Sequence, residues 1–411
     1  MHRTNTLKVT SISGRGRAYC ATRHITKGTT VLISEPIATV VSQEWLPETC
    51  LWCFHCSYPR RNKVKAILTQ DNKRKLPSET AGFCSETCKN LAITNHRCEE
   101  WDTVVNAYIA IDDEYRLREQ HEGLATPATS EVDSNDYFGG NVTRQGQQAG
   151  NTIDLNDEAQ AEGWIDTVWD MAVNSPAFLA SKNSILPDTY KADMCKLIAS
   201  CLIRKHHCDT ADNDNLHIQS YSSLMQMQYN EISRFQSHFK KMILTDELAH
   251  ELAKDMKIPT HAGQDFDTAI QYVPEEILAD IEMYIFFASA FEKSKTPIEW
   301  AYDHRLFRQV LYREMSNSFG IWDPPEGSEP ELLGWALHPV AVYFNHSCAP
   351  NIRKFRQGRN MVFIADQDIE DGQELCIAYG SVEEKVQARR ARLSEHYSFW
   401  CQCTRCCQES T

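Results

Sequence analysis

Hydrophobic and polar positions change period along the chain, with short β-branched runs at both ends and apolar residues at helical spacing between them. Residues 7–12 and 30–41 carry the first runs. The segments Gly14-Arg15-Gly16-Arg17 and Thr26-Lys27-Gly28-Thr29 predict turns between short strands. From Ile165 to Val173, Met194 to His207, Leu224 to Leu252 and Glu275 to Phe291 the spacing predicts helices, with Pro176 and Pro187 falling between segments as breaks. Inside them, the methionines of Ser223 to Met227 read as core packing. The end returns to strands: Ile352 to Phe355, a Gln357-Gly358 turn, Met361 to Ala365, an Asp371-Gly372 turn, and Glu374 to Tyr379. Lys385 to Tyr397 predicts a short basic helix. Residues 125–159 are rich in Ser, Thr, Asn, Gln, Gly and acids, with Arg144 the only basic residue, which predicts a mobile surface insertion.

With 411 residues, 42% of them hydrophobic, the chain can bury a sizeable core and divide into two or three domains. The N-terminus has no apolar leader, and the longest apolar stretch, around Tyr284 to Phe291, is too short to cross a bilayer. Neither secretion nor membrane insertion is therefore expected. A net charge of −14 argues against nucleic-acid binding by the whole surface and suits a protein that attracts basic, lysine-bearing partners. The basic run from Pro59 to Lys75 reads as a solvated loop between two halves of a metal site rather than as a nucleic-acid contact.

Sixteen cysteines, gathered mostly at 50–56, 84–98 and 401–407, read as metal ligands in a reducing compartment, nucleus or cytoplasm. Cys20, Cys195, Cys201, Cys208 and Cys376 lie apart and read as small buried hydrophobes.

The string Phe344-Asn345-His346-Ser347-Cys348-Ala349-Pro350-Asn351, then Gly372-Gln373-Glu374-Leu375-Cys376-Ile377-Ala378-Tyr379-Gly380, then Cys401-Gln402-Cys403-Thr404-Arg405-Cys406, resembles the catalytic half of a SET-domain protein lysine methyltransferase. The resemblance is to the SMYD type, in which a MYND zinc finger splits the SET domain. It implies an α+β SET β-clip fold with a threaded C-terminal knot, S-adenosylmethionine as methyl donor, structural zinc, and a protein substrate, histone or non-histone. The corresponding division is 1–49 for the first SET part, 50–98 for a MYND-like finger, 99–310 for an insertion, mobile near 125–159 and otherwise helical, 311–383 for the catalytic core, and 384–411 for a post-SET tail. Because the chain stops soon after the last cysteines, the helical C-terminal domain of longer SMYD proteins is expected to be missing.

Residue by residue, the resemblance places the Gly14-to-Ala18 turn against the cofactor, with Arg15, Gly16 and Arg17 as candidates; glycine there lets backbone amides approach a ligand. Asn345 and His346 match the family's cofactor-binding pair. Ser316-Asn317-Ser318-Phe319 matches its Asn-Ser-Phe segment, so Asn317 and Ser318 are cofactor contacts and Phe319 a wall of the lysine channel. Tyr379 is the catalytic candidate. Methyl transfer from a sulfonium is an in-line displacement, and a phenol can orient the neutral amine in a site closed to water. Tyr397 and Phe399 fall where the family has a channel aromatic and an adenine-stacking aromatic, with Trp400 as competitor for either role.

Cys401, Cys403 and Cys406 supply three thiolates, and the resemblance makes Cys348 the fourth, a closed structural zinc site. The finger departs from the family: Cys84 and Cys88 match its second half, but the middle Cys-x-x-Cys pair is missing from 57 to 83. One zinc is therefore expected there, with Cys84 and Cys88 joined either by Cys53 and Cys56 or by Cys50 and Cys53; a second site using His96 and Cys98 stays open. The rival to an enzyme is a zinc-stapled interaction or regulatory module, against which intact Asn345, His346 and Tyr379 argue.

Overall fold

The computed structural model describes residues 6–65, 82–96, 98–124, 152–182, 185–209, 221–245, 254–292, 298–323, 330–397 and 399–410. The chain forms two compact units, one of residues 1–109, 193–230 and 305–411, the other of 110–192 and 231–304. The segments expected as one helical insertion are thus shared between them.

In the first unit, β1 (Leu7–Ile12) and β2 (Gly16–Ala21) form an antiparallel hairpin. It turns through Gly14 and Gly16 at φ +71° and +73°, a left-handed conformation that glycine adopts without strain. Next come β3 (Thr30–Ser34), β4 (Ala38–Val41) and, around the finger, β5 (Val64–Lys65) paired with β6 (Gly82–Phe83). The second unit contributes β7 (Thr152–Asp154) paired with β8 (Lys257–Pro259), beside the helices Glu158–Asn174, Glu231–Thr245 and Glu275–Glu292. Back in the first unit, β9 (Ser318–Trp322) and β10 (Leu332–Leu337) join β4 in one sheet, and β12 (Ile352–Gln357) and β13 (Asn360–Ala365) join β3 in another. Between these sheets, β11 (Asn345–His346) pairs in parallel with β14 (Cys376–Ile377). That pairing sets the Asn-His string beside the strand that ends at Tyr379.

The core of the first unit runs from Tyr19, Val31 and Leu32 through Phe344, Phe363 and Leu375 to Ile377. The described part of the finger shares its core with the domain: Cys50, Phe54 and Phe83, with Trp101, pack in one cluster with Val41, Ile321 and Leu333 of the β4-β10-β9 sheet. In the second unit Trp164 and Trp169 of Glu158–Asn174 are buried, and Asp157 caps that helix by accepting the Gln160 N–H. Among the described residues no helix is long and apolar enough to cross a membrane.

Three expectations change. The insertion expected as mobile over 125–159 ends in ordered structure, since 152–154 pair with β8 and a helix starts at Glu158; 125–151 lie outside the described residues. The helix expected from Leu224 to Leu252 breaks at 226–230, leaving Tyr221–Met225 and Glu231–Thr245. Its carbonyls there are taken by side chains: Arg313 donates to Met225, Arg17 to Gln226 and Asn317 to Gln228, while the Asn230 N–H donates to Tyr312. A helix needs those groups for itself. Finally, only Cys376–Ile377 of the expected 374–379 strand is a strand, because Glu374 and Tyr379 put their polar groups into the site. The basic run at Pro59 to Lys75 is described only to Lys65.

Gly334 sits at φ +154° beside a register shift in β10, and a Cβ there would lie 2.1 Å from the Val40 carbonyl oxygen. Gly334→Ala is expected to cost roughly 2–4 kcal/mol by forcing β4 and β10 apart. A melting temperature unchanged by this substitution would contradict that account.

Candidate functional site

Tyr379 stands where two groups of residues meet. Its backbone N–H donates to His346 Nδ1 at 3.1 Å, and its hydroxyl donates to the Phe344 carbonyl at 3.0 Å. Its ring lies 4.8 Å from that of Tyr397, 5.4 Å from His346 and 6.3 Å, at right angles, from Phe399. Burial, then the neighbouring Tyr397, pushes its pKa above the ordinary tyrosine value, so the phenol stays neutral and keeps its proton on Phe344. The oxygen's lone pairs are left to accept.

On one side of Tyr379 is a cavity of about 780 Å³. Asn317, Ser318, Phe319, Tyr379 and Tyr397 line it together. Phe319 is held edge-on by His338 at 5.5 Å and by Phe363 at 6.4 Å. His338 in turn bonds Ser34 through Nδ1, and burial, with Arg359 nearby, lowers its pKa to about 3, so it is a neutral wall.

On the other side are Arg15, Gly16, Asn345, His346 and Phe399, which do not line that cavity but connect to Tyr379 through His346. Arg15 pairs with Glu374 at 3.1 Å and donates to the His346 carbonyl at 3.1 Å and to Cys376 Sγ at 3.5 Å. Asn345 Nδ2 donates to the Arg15 carbonyl and to Glu374. Asn351 completes the frame, giving its amide to the Glu374 carbonyl and accepting the Cys376 N–H. Both amide nitrogens, of Asn345 here and of Asn317 on Arg313 and Gln228, are spent on backbone carbonyls or Glu374. Among the described residues that leaves their Oδ1 atoms as acceptors for a cationic ligand. Arg17 goes elsewhere: its guanidinium reaches the Gln226 carbonyl and lies 5.3 Å from the Tyr343 ring centroid. Trp400 is 56% exposed under Arg390, so Phe399, not Trp400, faces His346 and Tyr379.

His346 ties this frame to the first cysteine cluster. Because Nδ1 accepts from Tyr379, Nε2 carries the hydrogen and points it at Cys348 Sγ, 3.2 Å away. Burial, with Arg392 and Arg15 nearby, lowers the His346 pKa to about 4 and keeps the ring neutral. The sulfurs of Cys348, Cys401, Cys403 and Cys406 lie within 4.8 Å of one another, with Cys348 3.4 Å from Cys406 and 4.0 Å from Cys401. A tetrahedral zinc with bonds of about 2.3 Å sets its sulfurs about 3.8 Å apart, so this donor set fits the metal. Arg389, 1% exposed, donates to Cys406 Sγ and pairs with Glu409. Cys407 is exposed, and its thiol donates to the Gln402 carbonyl.

In the finger, Cys50, Cys53, Cys84 and Cys88 form the second such group. Cys84 is 3.7 Å from Cys53 and 3.5 Å from Cys88. This is the Cys50 and Cys53 alternative, and Cys56 is corrected out of the ligand set. The chain bends back at Phe54, φ +58°, and pairs Cys56 with Thr49, which keeps its thiol out of the group. The side chains of His96 and Cys98 lie outside the described residues. Of the separate cysteines, Cys20, Cys195, Cys201 and Cys376 are buried as expected of small hydrophobes, although Cys376 also accepts from Arg15; the Cys208 side chain is not described.

Sequence reasoning passed over Glu374, Asn351, Arg389, Lys354 and Arg356. Glu374 and Asn351 were inside the quoted strings, and a carboxylate and an amide amid apolar strand residues were the signal that could have singled them out.

Compared with known proteins, residues 16–380 match the SET domain. The chain is 26% identical, over 96% of its length and 93% of the relative's, to the potential protein lysine methyltransferase SET6 of Saccharomyces cerevisiae. It is 37% identical to the human histone-lysine N-methyltransferase SMYD3 over 24% of this chain and 22% of that protein. With the zebrafish N-lysine methyltransferase SMYD2-B it shares 32% identity over 26% of this chain and 24% of that protein, so these two matches span about a quarter of the relatives.

Proposed function

The chain belongs to the SET domain family, whose members are S-adenosylmethionine-dependent protein-lysine methyltransferases, and from that premise we propose how its own residues divide the work. The Arg15, Gly16, Asn345, His346 and Phe399 side of Tyr379 is where the methyl donor would sit, and Asn317 and Ser318, the further donor contacts the resemblance implies, line the cavity on the other side of that residue. The cavity lined by Phe319, Tyr379 and Tyr397 is where the target lysine of a protein substrate would enter. The observation that carries this division is the position of Tyr379, whose backbone N–H bonds His346, whose hydroxyl bonds Phe344 of the cavity wall, and whose ring packs on Tyr397 of that wall as well as on His346 and Phe399.

When bound, S-adenosylmethionine supplies an electrophilic methyl group and leaves as S-adenosylhomocysteine. The lysine amine has to arrive without its extra proton. Tyr379, its own hydrogen committed to the Phe344 carbonyl, can accept one N–H of that amine and so turn the nitrogen lone pair toward the opposite side of the wall. Phe319 and Tyr397 flank the amine's hydrocarbon stem and keep water from it. The residues fit zinc as a structural staple: among the described residues each of the two groups offers four cysteines, which would leave no open position for a reacting water. The proposal extends to a nuclear or cytoplasmic protein as substrate, histone or not. Labelled S-adenosylmethionine added with the chain to cell extract and to purified histones is expected to mark protein bands, and Asn345→Ala to abolish them. Unlabelled extract with a folded, zinc-loaded wild type would instead favour the zinc-stapled interaction module.

A further inference from the structure

The cavity in front of Tyr379 has two cationic side chains in its lining, with Cys53 of the finger group beside them. Its lining holds Lys354, Arg356 and Asp323. Arg356 is occupied, donating to the carbonyls of Trp322, Cys53 and Gly358, and Asp323 is its electrostatic neighbour. Lys354 has neither restraint. It projects from β12 so that Nζ lies 5.1 Å from the centroid of the Phe319 ring, and it makes no hydrogen bond or ion pair among the described residues. A surface lysine gains most by extending into water; this one reaches over the aromatic ring that walls the cavity assigned to the target lysine. Lys354 as a residue is exposed, but the cavity wall crowds its amine end, and that desolvation lowers its pKa to about 8, which leaves it mostly charged at neutral pH.

A target lysine thus approaches a fixed ammonium of the same sign, although the chain as a whole carries −14 and attracts cations. Like charges at close quarters select against a partner unless the partner brings the opposite charge with it. We propose that this cavity selects protein lysines with an aspartate or glutamate within two positions, and that Lys354 is the residue that recognises the acid. In an extended peptide the neighbours at two positions stand on the same face, roughly 7 Å apart, so an acid there faces the same cavity, lined by both Lys354 and Tyr379, that the target lysine enters. Segments dense in lysine and arginine, as in basic tails, would add a second repulsion. Lys354 is here a specificity-determining residue, and the inference rests on the assignment of this cavity to the lysine substrate.

The test measures binding apart from catalysis. Fluorescein-labelled peptides with one central lysine, flanked by Asp and Glu, by Gln, or by Arg and Lys, are titrated by anisotropy against the full wild-type chain, Lys354→Met and Lys354→Glu at low salt. Melting curves confirm that the exposed substitution leaves each variant folded. Wild type is expected to bind the acidic-flanked peptide about tenfold tighter than the basic-flanked one, Lys354→Met to lose most of that preference, and Lys354→Glu to reverse it. Equal affinities on wild type, no binding of any peptide, or a Lys354→Glu variant that keeps the wild-type order would overturn the proposal. Methyl transfer to the same peptides is scored separately. Charge-selective binding without methylation would uphold the recognition and sink the methyltransferase reading of the cavity.

Discussion

Tyr379→Phe is expected to lower methyl transfer on the order of a hundredfold, with the chain still folded and its affinity for the methyl donor within a few-fold of wild type. The substitution keeps the ring and its packing on Tyr397 at 4.8 Å and His346 at 5.4 Å, and it keeps the backbone bond to His346. It removes the oxygen that can orient the incoming amine and leaves the Phe344 carbonyl without its partner. The second loss costs about 1 kcal/mol of stability, which melting would register as a small shift. The first bears on the transition state. Removing one preorganised polar contact to the reacting group typically costs 10²–10³ in rate, and here it would appear mainly in kcat, since the aromatic walls that bind the lysine stem remain. Steady-state kinetics on a labelled substrate, with calorimetric titration of the donor, separates the two. A kcat within threefold of wild type would show that Tyr379 is a packing residue only.

The sequence was most informative where chemistry is held in contiguous strings. The Asn345-His346 pair and Tyr379 are brought together because β11 and β14 pair in parallel, and each half could be recognised before the pairing was known. The post-SET cysteines could be read for the same reason: three of the four sulfurs lie within six residues, 401–406, and the fourth belongs to the Asn-His-Ser-Cys string. Spacing failed where it was degenerate. Cys50, Cys53 and Cys56 repeat every third residue, and only the bend at Phe54 and the Thr49 to Cys56 pairing settle which thiols converge. The contacts invisible to any pattern are the long-range ones from arginine. Arg17 spends its side chain on Gln226, 209 positions away, and Arg356 joins β12 to the finger through the Cys53 carbonyl, 303 positions away. Those same bonds explain the broken helix at 226–230, where apolar periodicity continued but the carbonyls had other donors.

Loss of the post-SET metal is expected to damage cofactor binding from a distance. Four cysteine sulfurs within 4.8 Å, all buried, are a poor arrangement for metal-free thiolates, and burial first, then Cys406, pushes the Cys348 thiol up to about 11. A dication turns that cost into bonds and holds the thiolates ionised. Arg389 and the His346 Nε2–H add donors to Cys406 and Cys348, so the cluster reaches through His346 to the Tyr379 backbone. It also packs against Tyr397 and Phe399, whose rings flank the two sides of the site. Cys403→Ser is therefore expected to lower bound zinc by one ion per chain, reduce affinity for S-adenosylmethionine at least about tenfold and depress melting by several degrees. Cys53→Ser, in the finger, is expected to lose one zinc as well but to leave donor affinity much closer to wild type, because its group packs on the β4-β10-β9 sheet and not on His346. Cys56→Ser should change neither quantity. Metal content by elemental analysis, run alongside calorimetry on the same samples, distinguishes these cases. A Cys403→Ser chain that keeps the wild-type zinc content, or that loses one ion and still binds the donor normally, would break the connection from cluster to site.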